Sequence, residues 1–134
     1  MYKYGIISTA SITKRFIDGL RQAKDAVICI GSRDIEKAKQ FAINNDIGKY
    51  YGSYLEVYED KDVDVVYIPV INNLHYECAK DALLHKKNVV LEKPFTITPK
   101  EAKELYELAK KTIVFYLKEL RIYLFHQLSL WKII

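Results

Sequence analysis

Residues 26–42 read AVICIGSRDIEKAKQFA. The first six form an unbroken apolar run rich in β-branched side chains, the pattern of a strand covered on both faces. Ser32 or Asp34 then offers a helix N-cap, and Ile35, Ala38, Phe41 and Ala42 recur at helical spacing. A doubly covered strand running straight into an amphipathic helix is the repeating unit of a parallel sheet.

The rest of the chain repeats that unit. Tyr4 to Ser8 is a short apolar run, followed by helical spacing from Ile12 to Ala23 through Phe16, Ile17 and Leu20. Tyr50 to Tyr54 reads as a short strand and turn, and Leu55 to Glu59 as a single helical turn. Val63 to Val70 (VDVVYIPV) is a further strand, Leu74 to His85 a helix, and Asn88 to Leu91 (NVVL) another buried strand. At Thr98-Pro99-Lys100-Glu101 a capping threonine, a proline at the first helical position and a glutamate at the third predict a capping box. Strands alternating with helices imply right-handed βαβ crossovers, so the expected fold is a doubly wound α/β domain with a parallel sheet.

Composition narrows the function classes. The 134 residues are 50% hydrophobic and 28% charged, a balance that fits a globular domain rather than a disordered one. The net charge of +4 is mild. Lysines alternate with acids, as in Glu36-Lys37-Ala38-Lys39, so no basic stripe for nucleic acid is expected. Cys29 and Cys78 fall in a strand and a helix with no metal or disulfide spacing. No signal core stands at the N-terminus, and a reducing cytoplasm fits this composition.

In doubly wound sheets ligands lie at the carboxyl ends of the strands. After the first strand the chain reads Gly5-Ile6-Ile7-Ser8-Thr9-Ala10-Ser11-Ile12, where a dinucleotide fingerprint would carry G-x-G-x-x-G. Ser8 and Ala10 hold the central glycine places. Small residues there either let a pyrophosphate approach the backbone and the following helix N-terminus, or serve tight packing alone. After the second strand Ser32-Arg33-Asp34 replaces the acid that would hold ribose hydroxyls. Arg33 can meet a 2′-phosphate and Ser32 can add a hydroxyl, favouring NADP over NAD; Arg33 can equally be a solvated arginine beside a cap. Asn72 could cap the next helix, and His75 is either a surface imidazole or one aimed at nicotinamide or substrate. Glu92-Lys93-Pro94-Phe95 places a charged pair, fixed by proline, at the ligand edge. Lys93 there can exchange a proton with a substrate hydroxyl, or the tetrapeptide is a plain strand-ending turn.

Taken together, these motifs resemble the Gfo/Idh/MocA oxidoreductases over residues 1 to about 111. Tyr4-Gly5-Ile6-Ile7-Ser8-Thr9-Ala10 is similar to a serine-containing form of that family's first loop, and Ser32-Arg33-Asp34 to its second strand end. Asp64-Val65-Val66-Tyr67-Ile68-Pro69, Asn72, Leu74-His75-Tyr76 and Val89-Val90-Leu91-Glu92-Lys93-Pro94 follow in its order and spacing. The resemblance implies a Rossmann-type domain binding NADP or NAD through Ser8, Thr9, Ala10, Ser11, Ile12, Ser32, Arg33, Asn72, His75, Glu92 and Lys93. It implies Lys93 as the catalytic residue beside nicotinamide. The reaction implied is reversible hydride transfer with a small-molecule sugar, cyclitol or related alcohol. The family's Asp-x-x-x-His pair lies in a second α+β domain, and Asp81 and His85, in the helix before the Glu-Lys-Pro strand, do not match it.

From Thr112 to Ile134 the pattern breaks. This segment is mostly hydrophobic, lacks Gly, Pro, Asp and Ala, and carries the chain's single tryptophan, Trp131. Out-of-frame reading or a truncated gene would produce such a shift. Thr112 to Tyr116 could still form a strand, with Leu117, Leu120, Leu124, Leu128 and Trp131 as an amphipathic stripe that seeks a second copy. Charges at Lys118, Glu119 and Arg121 argue against a membrane span. The expectation is therefore a dinucleotide-binding domain over 1–111 with an atypical tail over 112–134, inactive as a fragment. A partner-completed small enzyme and a nucleotide-binding scaffold or sensor without redox turnover are the alternatives.

Overall fold

The computed structural model describes residues 2–70, 72–91 and 98–112. The strands are β1 (Lys3–Ile7), β2 (Ala26–Gly31), β3 (Lys49–Tyr51), β4 (Val65–Ile68) and β5 (Asn88–Leu91). The helices are α1 (Ile12–Gln22), α2 (Ile35–Asn44), α3 (Tyr54–Glu59), α4 (His75–Leu84) and α5 (Pro99–Thr112), with a 3₁₀ turn at Asn72–Leu74 before α4. All strand pairings are parallel, in the order β3-β2-β1-β4-β5. The chain leaves β1 in one direction to build β2 and β3, then returns to β1's other side for β4 and β5. The switch point therefore lies between β1 and β4.

Period-two alternation splits the core between the two faces of the sheet. Tyr4, Ile6, Ile30, Val65, Tyr67 and Val90 point one way and meet Ile17 and Leu20 of α1 and Ala42 of α2. Ile7, Cys29, Val66, Ile68, Val89 and Leu91 point the other way, onto Val57 of α3, Ala79 and Leu83 of α4, and Leu105 of α5. Each large aliphatic side chain so buried contributes about 1.5–3 kcal/mol relative to exposure. On the first face Phe16 stacks on Tyr67, ring centroids 3.6 Å apart, and meets Tyr4 edge-on at 5.8 Å. The aromatics thus clamp α1 over the switch point.

Two glycines let α3 approach the sheet closely. A Cβ on Gly31 would lie 2.5 Å from Val57 Cγ2 and 3.0 Å from the Ser53 carbonyl oxygen, and one on Gly5 would lie 2.8 Å from Val57 Cγ1. α3 itself starts at its N-cap, Ser53, whose hydroxyl accepts from the Glu56 N–H at 3.3 Å.

Several sequence expectations shift on inspection. β1 ends at Ile7, which leaves Ser8 outside the strand, and β4 shrinks to Val65–Ile68 because Val63 closes a turn with Asp60 and Pro69 has no N–H for the ladder. β2 matches its expected bounds, yet Ala26, Val27 and Ile28 are only half-buried. β3 pairs with Cys29–Gly31 alone, so the first half of β2 lacks that neighbour. Asp34, not Ser32, caps α2, accepting from the Glu36 and Lys37 N–H groups. The residue capping α4 is Leu74 rather than Asn72, since the 3₁₀ turn intervenes. The capping box at α5 forms as expected, Glu101 N–H to Thr98 Oγ1 at 3.2 Å and Thr98 N–H to Glu101 Oε2 at 3.4 Å. Thr112 is the last residue of α5 rather than the start of a strand. The expected tail stripe and dimer contact fall beyond Thr112, outside the described residues.

Candidate cofactor site

The carboxyl edge of the sheet gathers the turns after β1, β2 and β4. In the first, Ser8 adopts φ 99°, in a region that L side chains seldom enter. Such backbone costs on the order of 1–3 kcal/mol and persists only where its surroundings hold it. Here the Ser8 N–H donates to the Gly31 carbonyl at 2.8 Å, and the Ser8 hydroxyl accepts from the Ala10 N–H at 3.2 Å. The buried Thr13 hydroxyl donates to the Ser8 carbonyl at 3.4 Å. Thr9 and Ala10 are half-buried, while Ser11 and Ile12 are exposed at the start of α1. The fingerprint's glycine position is thus geometrically real, although a serine fills it.

The start of α1 differs from the other helices. Glu36, Glu56, Glu77 and Glu101 stand in the first turns of α2, α3, α4 and α5, where a carboxylate complements the positive end of the helix dipole. α1 has no acid in its first turn, and its N-cap, Ser11, makes no side-chain capping bond. An N-terminus without a resident carboxylate, behind a turn of small residues at the switch point, suits an anion such as a pyrophosphate. The residues present therefore fit a dinucleotide.

At the end of β2, Ser32 is buried, its N–H donating to the Tyr51 carbonyl and its hydroxyl accepting from the Asp34 N–H at 3.2 Å. Arg33 is exposed. After β4, His75 is fully buried, with Nε2 2.7 Å from the Val70 carbonyl oxygen. Of the two roles open to His75 from sequence, the surface imidazole is excluded. The ring braces the end of β4 from within the fold. Asn72 lies in the 3₁₀ turn just beyond. β5 brings Leu91, buried, to the same edge, and Glu92 and Lys93 fall outside the described residues.

Sequence reasoning did not single out the polar network at the opposite, amino edge. Asp60 accepts from the Tyr51 hydroxyl at 2.8 Å, from Lys49 Nζ at 3.2 Å and, through Oδ1, from the Asp62 N–H at 2.9 Å. Burial pushes its carboxyl upward, but those three donors and the Lys49 charge outweigh it and hold the carboxyl below its ordinary value. Lys87 Nζ donates to the Asp60 and Val63 carbonyls at 2.7 and 2.8 Å, and burial pulls its ammonium down. Nearby, burial pushes the Cys29 thiol up to about 12, so this cysteine is an inert core group. His85 also sits at this edge, bonded through Nδ1 to the Asp81 carbonyl at 2.7 Å, well away from the switch point. Among the described residues no cluster of His, Cys, Asp and Glu is arranged for a metal ion, and no helix is long and apolar enough to cross a membrane.

Sheet order, switch-point turn and undefended helix start define the nucleotide-binding domain of a dehydrogenase-type protein. Residues 2–118 match the profile of the Gfo/Idh/MocA oxidoreductase family, NAD-binding Rossmann fold, and the chain belongs to that family. The match runs beyond Lys111, past the point where the sequence pattern was read as breaking. Among curated relatives, the trans-1,2-dihydrobenzene-1,2-diol dehydrogenase of Xenopus tropicalis is 37% identical over 119 residues, covering 87% of this chain and 36% of that protein. The human protein of the same name is 31% identical over the same coverage. A 3-ketoreductase from Actinomadura kijaniata, solved with NADP, superimposes with a TM-score of 0.77 at 32% identity, covering 83% of this chain and 36% of that one. An NAD binding oxidoreductase from Klebsiella pneumoniae gives 0.79 at 27% identity, covering 83% and 32%. The chain spans about a third of the length of the curated relatives it matches.

Proposed function

We propose that this domain binds NADP in preference to NAD and serves hydride transfer between the nicotinamide and a carbon bearing a hydroxyl on a sugar, cyclitol, diol or related alcohol. The observation that carries the reading is the gathering of the Ser8–Ile12 turn, Ser32-Arg33 and the Asn72 turn on one sheet edge, around a helix start free of acids. The activities for which the relatives are named, on a diol and as a ketoreductase, support the substrate class.

In this reading the turn Ser8 to Ser11 and the first residues of α1 hold the pyrophosphate. Arg33 meets the 2′-phosphate, its fork matching two phosphate oxygens. His75 keeps the β4 end in place, so that Asn72 borders the nicotinamide side. Glu92 and Lys93 follow β5 in sequence, and the resemblance gives them to the nicotinamide side. When bound, the nicotinamide accepts or returns the hydride. Lys93 Nζ, in its neutral form, takes the hydroxyl proton as hydride leaves the carbon, and returns it in the reverse direction.

Arg33→Ala removes a charge-assisted contact worth on the order of 1.5–3 kcal/mol, roughly ten- to a hundredfold in NADP affinity. Titration of both cofactors against both proteins tests this: NADP affinity unchanged by the substitution defeats the NADP reading. Residues 1–134 alone are expected to bind dinucleotide weakly and to give no detectable turnover. Orienting a substrate supplies roughly 7–11 kcal/mol of catalysis, and the resemblance assigns that task to a second domain. The assay is absorbance of reduced nicotinamide with a panel of sugars, inositols and diols. Turnover that survives purification and vanishes in Lys93→Ala would mean that a second copy or the tail completes the site.

A further inference from the structure

We propose that Thr13 is a positioning residue for the dinucleotide: its hydroxyl holds the Ser8 carbonyl and so keeps the turn after β1 in its binding shape. This rests on the reading of the Ser8–Ser11 turn as the pyrophosphate cradle. α1 turns Thr13, Ile17 and Leu20 inward, at i, i+4 and i+7, and all three are buried. Two are aliphatic, as a helix face laid on a sheet requires, and the third carries a hydroxyl. Thr13 is 0% exposed, so water cannot serve that group. Its acceptor is the Ser8 carbonyl, at 3.4 Å.

The spacing gives the pair its meaning. Counted from Ser8, the G-x-G-x-x-G fingerprint falls on Ser8, Ala10 and Thr13. Its first glycine makes the tight turn, and its third admits close packing of helix on strand. This chain has a glycine at none of the three. Ser8 nevertheless takes φ 99°, a conformation that glycine adopts freely and serine resists. Its N–H donates to the Gly31 carbonyl at 2.8 Å, its hydroxyl accepts from the Ala10 N–H at 3.2 Å, and its carbonyl accepts from Thr13. Ser8 and Thr13 thus replace two glycines as a unit, the second supplying a bond that the strain of the first requires.

Thr13 is the fixed member of the pair. A threonine in a helix has few χ1 rotamers. Its N–H donates to the Ala10 carbonyl at 2.9 Å, and Phe16, one turn on, is stacked on Tyr67 with ring centroids 3.6 Å apart. A peptide is planar and trans, so holding the Ser8 carbonyl also fixes the Thr9 N–H, which points the opposite way. Without the hydroxyl, Ser8 is free to relax toward an ordinary φ, and the cradle exists in only part of the population. Apparent affinity falls in proportion to that fraction. NADP and NAD share the pyrophosphate, so both should lose alike, unlike after a change at Arg33.

The test is Thr13→Val in the full 134-residue chain, with NADPH and NADH binding followed by nicotinamide fluorescence and folding by thermal melting. Both Kd values should rise about three- to tenfold, and Thr13→Ser, which restores the hydroxyl, should bring them within about twofold of wild type. In a Ser8→Gly background Thr13→Val should change either Kd by less than about twofold, because glycine holds this φ unaided. An equal effect in both backgrounds, or no rescue by serine, would show that residue 13 acts by packing alone and overturn the proposal. Should the valine protein melt poorly, Thr13→Ala removes the same hydroxyl and must show the same dependence on residue 8. Ser11→Asp, which gives α1 the acid that the other helices have, separates the two possible failures. It should weaken both nucleotides about tenfold or more while the melting point holds or rises. If it does so and Thr13→Val weakens neither, the role of Thr13 fails alone. If Ser11→Asp binds like wild type, the pyrophosphate reading of the turn fails and takes the role of Thr13 with it.

Discussion

The two edges of the sheet are built to different standards. At the amino edge the chain closes on itself. α1, α2 and α4 are each followed, two residues past their last residue, by one with φ near +60°, namely Lys24, Asp46 and Lys86. The next N–H in each case reaches back to close the helix: Asp25 to the Leu20 carbonyl, Ile47 to Ala42 and Lys87 to Ala82, at 2.9–3.0 Å. Asp25 and Asp64 accept from the Tyr2 and Lys3 N–H groups, and Asp60 gathers Tyr51, Lys49 and Asp62. At the carboxyl edge the fourth positive-φ residue, Ser8, is not a helix end at all, and the helix behind it starts without an acid. Both edges carry left-handed backbone, but the amino edge uses it to close helices, whereas at the carboxyl edge it shapes the turn before a helix start that no acid claims. A fold that must admit an anion cannot complete its own bonding where that anion goes.

The sharpest way to break the contrast is at the junction between strand and site. Gly31→Ala forces a Cβ against Val57 and the Ser53 carbonyl, and should cost roughly 3 kcal/mol in urea unfolding, the upper end of overpacking effects. It should also weaken dinucleotide binding, because α3 and Tyr54 must move away from the end of β2.

Next in size is Asp60→Ala, which leaves the Tyr51 hydroxyl without its acceptor and should cost about 2 kcal/mol without altering cofactor affinity. Its pH signature follows from the lowered carboxyl. A folded-state value below the unfolded one means stability is fully present above the unfolded value and lost as pH falls through the folded one. Wild type should therefore lose stability in acid, below about pH 4, and Asp60→Asn should flatten that limb of the curve.

A smaller effect, of opposite sign, is expected at Ser8. Ser8→Gly relieves the positive φ but makes the unfolded chain more flexible, for a net gain of about 1 kcal/mol or less. Binding should persist, since the Ala10 N–H released from the Ser8 hydroxyl can turn to the pyrophosphate. Loss of binding in this variant would mean that the hydroxyl itself holds the nucleotide. The smallest change is Gly19→Ala in α1, where a new Cβ meets nothing within 4 Å. It should stabilise by about 0.5 kcal/mol, the ordinary helix preference, and serves as the neutral reference.

Much of this organisation was legible from residue order. The continuous run of β2, the capping box at Thr98 and the alternation of strands with helices each rest on interactions within a few residues, so local pattern reveals them. The carboxyl strand ends that carry the candidate site were legible too, because they follow from the parallel topology. The 3₁₀ turn at Asn72–Leu74, which moves the start of the expected Leu74–His85 helix to His75, and the early end of β4 at Ile68 were not legible. Both depend on what lies beside those residues in space.

The sequence by itself thus determined a doubly wound α/β domain, its family and the strand-end turns proposed to face the nucleotide, since all three are carried by periodicity and short motifs. Only the tertiary structure decided what the individual side chains at those turns do. It buried His75 against the Val70 carbonyl, gave the α2 cap to Asp34, set Ser8 at positive φ and laid the Ser53 carbonyl beside Gly31 from a different element. Residues 31 and 53 are far apart along the chain and belong to no common motif. What joins them is the pairing of β2 with β3 and the space that Gly31 leaves for α3, neither of which local sequence records.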